Sequence, residues 1–264
     1  MPERRHKARL ERELLYGRQP VLEALRAGRR AIYRVLLSET ARDATEWEEL
    51  AAAAARRGAS VVRVSARRLD EIAGTVHHQG VLAEAAPYPY VAWEEARAAL
   101  RSGPDPALAL LLDHVQDPQN LGALLRAADA TGVQAVLLPA DRAAGVTPAA
   151  VRASSGAAEH LRVAVVTNLA RCMEALQEDG LRLLGLDPSP EARRYDTADW
   201  REPLGLVVGG EGRGLGRLVR EHCDERLRIP MFGRVASLNA AVAGAVALYE
   251  ARRQRASRGE QGGA

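Results

Sequence analysis

Residues 107–113 read ALALLLD, an apolar run without alternation and without a helical period. The run is too short for most helices, and a strand wetted on one face would alternate. A short unbroken run is what a strand buried on both faces requires. The pattern recurs in AVLLPA (135–140), VAVV (163–166), LRLLGLD (181–187), LGLVVGG (204–210) and RLRIPM (226–231). Helical patterns lie between these runs: residues 118–130, AAVRASSGAAEHL, LARCMEALQEDG closed by Gly180, the short GLGRLVREHC, and a final alanine-rich stretch. Strands buried on both faces need helices on both faces, so the fold class expected here is α/β with an open parallel sheet. Such sheets bind ligands in loops at the carboxyl ends of their strands.

The first part of the chain alternates as well. A helical pattern (Val21, Leu22, Leu25) precedes the strand-like AIYRVLLS, then come the helix TEWEELAAAAARRG, the strand SVVRVS, a helix around Leu69 and Ile72, and a strand near GVLAEAA. This predicts a small α/β sandwich over residues 14–86. Residues 1–13 read as a basic disordered arm and 257–264 as a disordered tail. Residues 87–106 hold a short amphipathic segment between proline-bearing stretches and read as a linker, with a boundary near Pro104 to Pro106 and a second domain over 107–256.

A length of 264 residues with 47% hydrophobic and 27% charged residues allows two such domains. The formal charge of +3 is unevenly spread: residues 1–34 carry ten Lys/Arg against four Glu, and residues 251–264 add four Arg against Glu260. Basic ends around a near-neutral body suit a polyanion such as RNA, because each neutralised phosphate releases counterions. Cys172 and Cys223 lie far apart without a CxxC spacing, which gives neither a disulfide framework nor a zinc site and points to a cytoplasmic protein. No apolar run approaches the ~20 residues that cross a bilayer, so no membrane partner is expected. His77 and His78 are adjacent and cannot both face one metal, and Ser154 and Ser155 lack a GxSxG elbow. No metal site is expected.

Three loops stand out. In DHVQDPQNLGALLRAADATG, Asp117 is placed to cap a helix that Pro118 begins. Asn120 then falls in the first turn, and Arg126 interrupts an otherwise apolar and small helix. The loop in LGLVVGGEGRGLG lacks the first, third and sixth glycines of a dinucleotide fingerprint and has no GK[ST], leaving a glycine turn that carries Glu211. In IPMFGRVASLNAAVAG, Pro230 and Gly233 break an apolar run, Ser237 or Asn239 can cap the next helix, and Ala240, Ala241, Ala243, Gly244 and Ala247 permit close backbone approach.

Taken in order, DPQNLGALLRAADATG, VVGGEGRGL and IPMFGRVASLNAAVAG resemble the three signature motifs of the SpoU (TrmH) family of RNA ribose 2′-O-methyltransferases, within the SPOUT superfamily. YGRQPVLEALRAG and HHQGVLAEA are similar to the ribosomal-protein-like RNA-binding domain that precedes the catalytic domain in bacterial 23S rRNA guanosine methyltransferases of this family. The resemblance implies a C-terminal domain with a deep trefoil knot, a homodimer with active sites at the subunit interface, and S-adenosyl-L-methionine held by main chain around Gly209, Ile229, Met231 and Leu238. The implied catalytic positions are Asn120, Arg126, Glu211, Ser237 and Asn239. Arg126 is cast as the group acting on the 2′-hydroxyl, either as a base or as a cation that anchors phosphate and stabilises alkoxide charge. Asn120 and Asn239 are expected to orient the ribose or the cofactor, Glu211 to orient Arg126 or a substrate group, and Ser237 to shape the pocket. Ala241 stands where members often carry Ser or Thr. The implied substrate is a guanosine of 23S rRNA; the alternatives are tRNA, an rRNA site linked to antibiotic resistance, or an RNA-binding assembly factor without catalysis.

Overall fold

The computed structural model describes residues 12–39, 44–74, 77–103 and 105–259. The basic arm lies outside these residues as far as residue 11, as do residues 260–264 of the tail. The chain divides into two compact units, Met1–Pro89 and Tyr90–Ala264.

The first unit comprises β1 (Glu13–Tyr16), α1 (Arg18–Ala27), β2 (Ile32–Ser38), α2 (Ala44–Arg56), β3 (Ser60–Val64), α3 (Ala66–Ala73) and β4 (Val81–Ala85). Its sheet has the order β1-β4-β2-β3, with β2 and β3 parallel and β4 antiparallel to both neighbours. Strand β1 was not expected, because four residues with only Leu15 fully buried carry no period. Leu36, Leu69 and Leu82 form a core cluster under α3. Helix α1 ends on left-handed Gly28, and Arg57 reaches the freed carbonyls of Leu25 and Arg26 at 2.8 and 2.9 Å. A side chain at Gly28 would occupy the space of that guanidinium.

The second unit runs α4 (Trp93–Ser102), β5 (Leu108–Asp113), α5 (Pro118–Thr131), β6 (Ala135–Pro139), α6 (Pro148–Ala153), a 3₁₀ turn (Ala157–His160), β7 (Val163–Val166), α7 (Leu169–Glu178), β8 (Arg182–Leu186), β9 (Arg193–Arg194), β10 (Leu204–Gly209), α8 (Arg217–Glu221), β11 (Glu225–Arg228) and α9 (Ala240–Gly259). All seven strands are parallel, in the order β7-β6-β5-β10-β8-β11-β9. The unbroken apolar runs are explained by burial: every residue of β5 and β10 is buried, and the two strands pair from Leu204 opposite Leu108 to Gly209 opposite Asp113.

The structure departs from the sequence reading in several places. The segment 87–106 is no plain linker: Ala96 and Leu100 of α4 join the core of the second unit, and Arg97 binds Asp179 at 2.6 and 3.0 Å. The flanking prolines bound a helix that packs, so the boundary falls at Pro89 rather than near Pro104 to Pro106. The helix expected through AAVRASSGAAEHL is split, because Ser155 (φ 54°) and Gly156 (φ 88°) turn left-handed after α6. Helix α9 extends to Gly259, into the expected tail.

Helix α9 packs on α5 and on β10, and Gly244 makes the approach possible: a Cβ there would lie 2.4 Å from Leu124 Cδ2. The far end of α9 is latched. Arg255 donates to the carbonyls of Trp200 (2.9 Å), Pro106 (2.7 Å), Ala107 (3.0 Å) and Glu202 (2.9 Å), while Gln254 accepts from Trp200 N at 3.1 Å and donates to Ala198 O at 3.1 Å. Arg255→Met keeps the apolar stem but strips those carbonyls of donors. The unfolding free energy from urea denaturation is expected to fall by about 2–4 kcal/mol with an unchanged slope.

Candidate functional site

Strands β8, β10 and β11 end at the same edge of the sheet, and the loops leaving them enclose a cavity of about 630 Å³, a size that accommodates a small-molecule ligand. Leu186, Val208 and Leu227 form its floor at the strand ends, and residues 209–212, 229, 231 and 236–240 form its sides.

The glycine loop after β10 is fixed by its own packing. A Cβ on Gly209 would lie 2.3 Å from the carbonyl carbon of Gly214, and one on Gly210 would lie 2.1 Å from the carbonyl oxygen of His114. Gly214 N donates to Gly210 O at 3.1 Å, and Gly212 and Gly214 are left-handed (φ 79° and 61°). Buried Asp113, at the end of β5, anchors the loop by accepting from Gly216 N at 2.6 Å. The glycines therefore answer first to the fold of the loop, whose tight turn sets Glu211 at the cavity wall.

The other two loops converge on that carboxylate. Helix α5 begins as its sequence requires, with Asp117 accepting from Gln119 N at 3.0 Å and Pro118 at the first helical position, which places Asn120 on the buried side of the first turn. Asn239 caps α9: its Oδ1 accepts from Ala241 N (2.9 Å) and Val242 N (3.2 Å). Because backbone N–H groups claim that oxygen, the Nδ2 group must point the other way. It donates to Asn120 Oδ1 (2.9 Å) and Glu211 Oε1 (2.7 Å), and Asn120 Nδ2 donates to the same Glu211 oxygen at 2.8 Å. One carboxylate oxygen is thus held by two amides, while Oε2 has no partner among the described residues. The arrangement offers a fixed negative group that can offset a cation in the cavity or accept a hydrogen bond from a ligand.

Of the residues singled out in the sequence, Gly209, Glu211, Ile229, Met231, Ser237, Leu238 and Asn239 line the cavity, and Asn120 supports it from behind. Arg126 does not join them. It projects from the exposed face of α5 and donates to Ser155 Oγ at 3.1 Å, so Glu211 does not orient it within this chain. The wall formed by Leu186, Asp187, Pro188 and Pro190 was missed. Its signal was an Asp followed by two prolines directly after an apolar run. Asp187 accepts from Ser189 N at 3.0 Å and meets Arg220 and Arg226 at 3.0 and 3.2 Å. Burial pushes its carboxyl up, but the hydrogen bond from Ser189 N and the guanidinium groups of Arg220 and Arg226 outweigh burial and hold it below the usual carboxylate range. Burial raises the thiol of Cys223 to about 12, which removes it as a nucleophile at neutral pH. Among the described residues no cluster of His, Cys, Asp and Glu is arranged to hold a metal ion, and no helix is long and apolar enough to cross a membrane.

Comparisons with known proteins bear on this site. The profile of the SpoU rRNA Methylase family matches residues 107–249, and that described as RNA 2′-O ribose methyltransferase substrate binding matches residues 14–91. The 23S rRNA (guanosine-2′-O-)-methyltransferase RlmB of Xanthomonas campestris is 48% identical over 211 residues, which cover 80% of this chain and 83% of that protein. A protein of Mycolicibacterium vanbaalenii named uncharacterized tRNA/rRNA methyltransferase is 42% identical over 255 residues, covering 96% and 80%. The crystal structure of the SpoU methyltransferase AviRb from Streptomyces viridochromogenes in complex with the cofactor AdoMet matches with a TM-score of 0.77 at 25% identity, covering 97% of this chain and 95% of that one.

Asn239→Asp tests the network. One oxygen keeps the helix cap, but the other faces the oxygens of Asn120 and Glu211, and a donor is lost. At pH 8 the unfolding free energy is expected to fall by about 2 kcal/mol. The introduced carboxyl, set against a like charge, binds its proton more tightly folded than unfolded, so the deficit grows as pH rises and shrinks toward pH 5. Denaturation midpoints at the two pH values, against the unsubstituted protein, measure this.

Proposed function

Because the chain belongs to the SpoU rRNA methylase family, we propose that the ribose it methylates belongs to a guanosine of 23S rRNA in the cytoplasm, and that it does so as a homodimer. The chain is an S-adenosylmethionine-dependent RNA 2′-O-methyltransferase. The choice of 23S rRNA rests on the likeness to RlmB. What supports the reaction in this chain is the carboxylate of Glu211 fixed by Asn120 and Asn239 at the wall of a ligand-sized cavity.

The cavity fits the cofactor. The main chain of Gly209 and Gly210 is open to it, and apolar Leu186, Val208, Leu227, Ile229, Met231 and Leu238 suit a flat adenosyl group. When bound, S-adenosylmethionine supplies a methyl group on a positively charged sulfonium. In this reading Gly209, Ile229, Met231 and Leu238 hold the adenosyl part. Glu211 sets a negative charge beside the cation, Asn120 and Asn239 keep that carboxylate from swinging away, and Ser237 shapes the mouth. Holding reactants in line contributes up to ~7–11 kcal/mol to such a transfer, so positioning is the main task of these residues. The Arg126 guanidinium binds an RNA phosphate and stabilises the 2′-oxygen as its proton leaves to solvent water.

Arg126 stands outside the cavity of its own chain, and on the homodimer reading it serves the cavity of the partner. Exposed apolar side chains support association: Phe232 is 92% exposed and Val235 69% in the loop before α9, and Val242 49% and Tyr249 56% on α9 itself. The late insertion of β10 between β5 and β8, followed by β11 and α9, supports the trefoil knot. The first unit supplies affinity for RNA, expected to fall steeply with salt.

Mapping ribose methylation in a deletion strain is expected to show the loss of a 2′-O-methylguanosine from 23S rRNA; a loss confined to tRNA overturns the substrate assignment. Arg126→Ala and Asn239→Ala homodimers are each expected to be inactive in transfer of a labelled methyl group. After equimolar co-refolding about half of the dimers are mixed, and each of those holds one of its two sites with both residues intact, so about a quarter of all sites regain activity. No recovery would place Arg126 in the site of its own chain.

A further inference from the structure

Arg126 carries the RNA-facing role above, yet nothing in the cavity holds it. A free arginine samples many rotamers, and ordering its side chain costs up to about 2 kcal/mol. The group that does hold it is Ser155, whose Oγ accepts from Arg126 Nη1 at 3.1 Å and has no other partner among the described residues. We propose that Ser155 is a positioning residue for methyl transfer, which aims the Arg126 guanidinium at the RNA backbone. The inference rests on the reading that Arg126 acts on the RNA.

The backbone at Ser155 is the first argument. Its φ of 54° is left-handed, a conformation that glycine takes readily and serine does not, and left-handed Gly156 follows it. A glycine at 155 would suit the turn better. The chain instead keeps a residue whose hydroxyl meets Arg126, and strain held at one residue is a mark of function when the surroundings enforce it.

The surroundings do enforce it. Ser155 N donates to Arg152 O at 3.0 Å and Gly156 N to Val151 O at 2.9 Å; fully buried Ser154 donates to Val151 O at 2.9 Å and accepts from Ala158 N at 3.3 Å. The turn is also docked on the helix that bears Arg126. A Cβ at Gly122 would lie 2.4 Å from Ala153 Cβ, 2.6 Å from Ala150 O and 2.8 Å from Ser154 N, so α5 and the turn touch backbone to backbone one helical turn before Arg126. The hydrogen bond therefore joins two rigid pieces. It uses one guanidinium donor and leaves the others, with the Ser155 hydroxyl proton, for phosphate and ribose oxygens.

The test compares Ser155→Gly, which suits the left-handed backbone but lacks the hydroxyl, with Ser155→Asn, which tolerates that backbone and restores an acceptor. The probes are bulk ribosomal RNA from a strain deleted for this protein and S-adenosylmethionine with a labelled methyl group. Ser155→Gly is expected to slow single-turnover methyl transfer at saturating RNA about ten- to hundredfold, the loss of one hydrogen bond to a charged group. Its S-adenosylmethionine affinity by calorimetry and its Tm should stay at or above those of the unsubstituted protein. Ser155→Asn should recover most of the rate. A normal rate in Ser155→Gly, or a loss of rate with reduced Tm or cofactor affinity, overturns the proposal. Full activity in Arg126→Ala instead overturns the reading of Arg126, so the two failures are distinct.

Discussion

The amide of Asn239 is the constraint on which the rest of the second unit turns. Its oxygen closes the start of α9 and its nitrogen bonds Asn120 and Glu211, so one side chain terminates a helix and ties three loops together. Neither task can be done with the amide reversed, because the backbone N–H groups of α9 accept only an oxygen. The start of α9, the first turn of α5 and the glycine loop are consequently one object. A carboxylate that would otherwise move with an exposed loop is held in one place.

That object exists because the sheet brings the ends of β5, β8, β10 and β11 to one edge, where parallel strands leave their last carbonyls and their connecting loops. The close approaches behind it are made by small residues. Gly210 lets the glycine loop lie against His114, Gly244 lets α9 settle on Leu124, and Gly122 lets α5 meet the turn after α6. Packing of this kind transmits position: a shift of α5 would move Asn120 at one end and Arg126 further along the same helix.

The division of labour along α5 is the least expected feature. Asn120 faces inward to the network, whereas Arg126 faces outward to Ser155. Residues six apart on a helix lie about 120° from the same face, so one helix can serve a cavity on one side and a second surface on the other. Phe232 and Tyr249 of the second unit are exposed as well.

The sequence by itself determined the elements. Strands buried on both faces need unbroken apolar runs, helices need their period and caps, and ALALLLD, Asp117-Pro118 and Asn239 declare these within a few residues. It also announced three loops through their glycines, prolines and amides, and their order carried the family resemblance. What it left undecided was everything fixed by distant partners. Strand β1 and the wall at Asp187 were too short to show a period, α4 revealed its role only through the core it joins, and the split after α6 came from backbone angles at Ser155 and Gly156. The tertiary structure alone decided that Glu211 bonds Asn120 and Asn239, 91 and 28 residues away, and not Arg126. Local pattern is written by neighbours along the chain, whereas hydrogen-bond partners are chosen by which strand ends the sheet sets side by side.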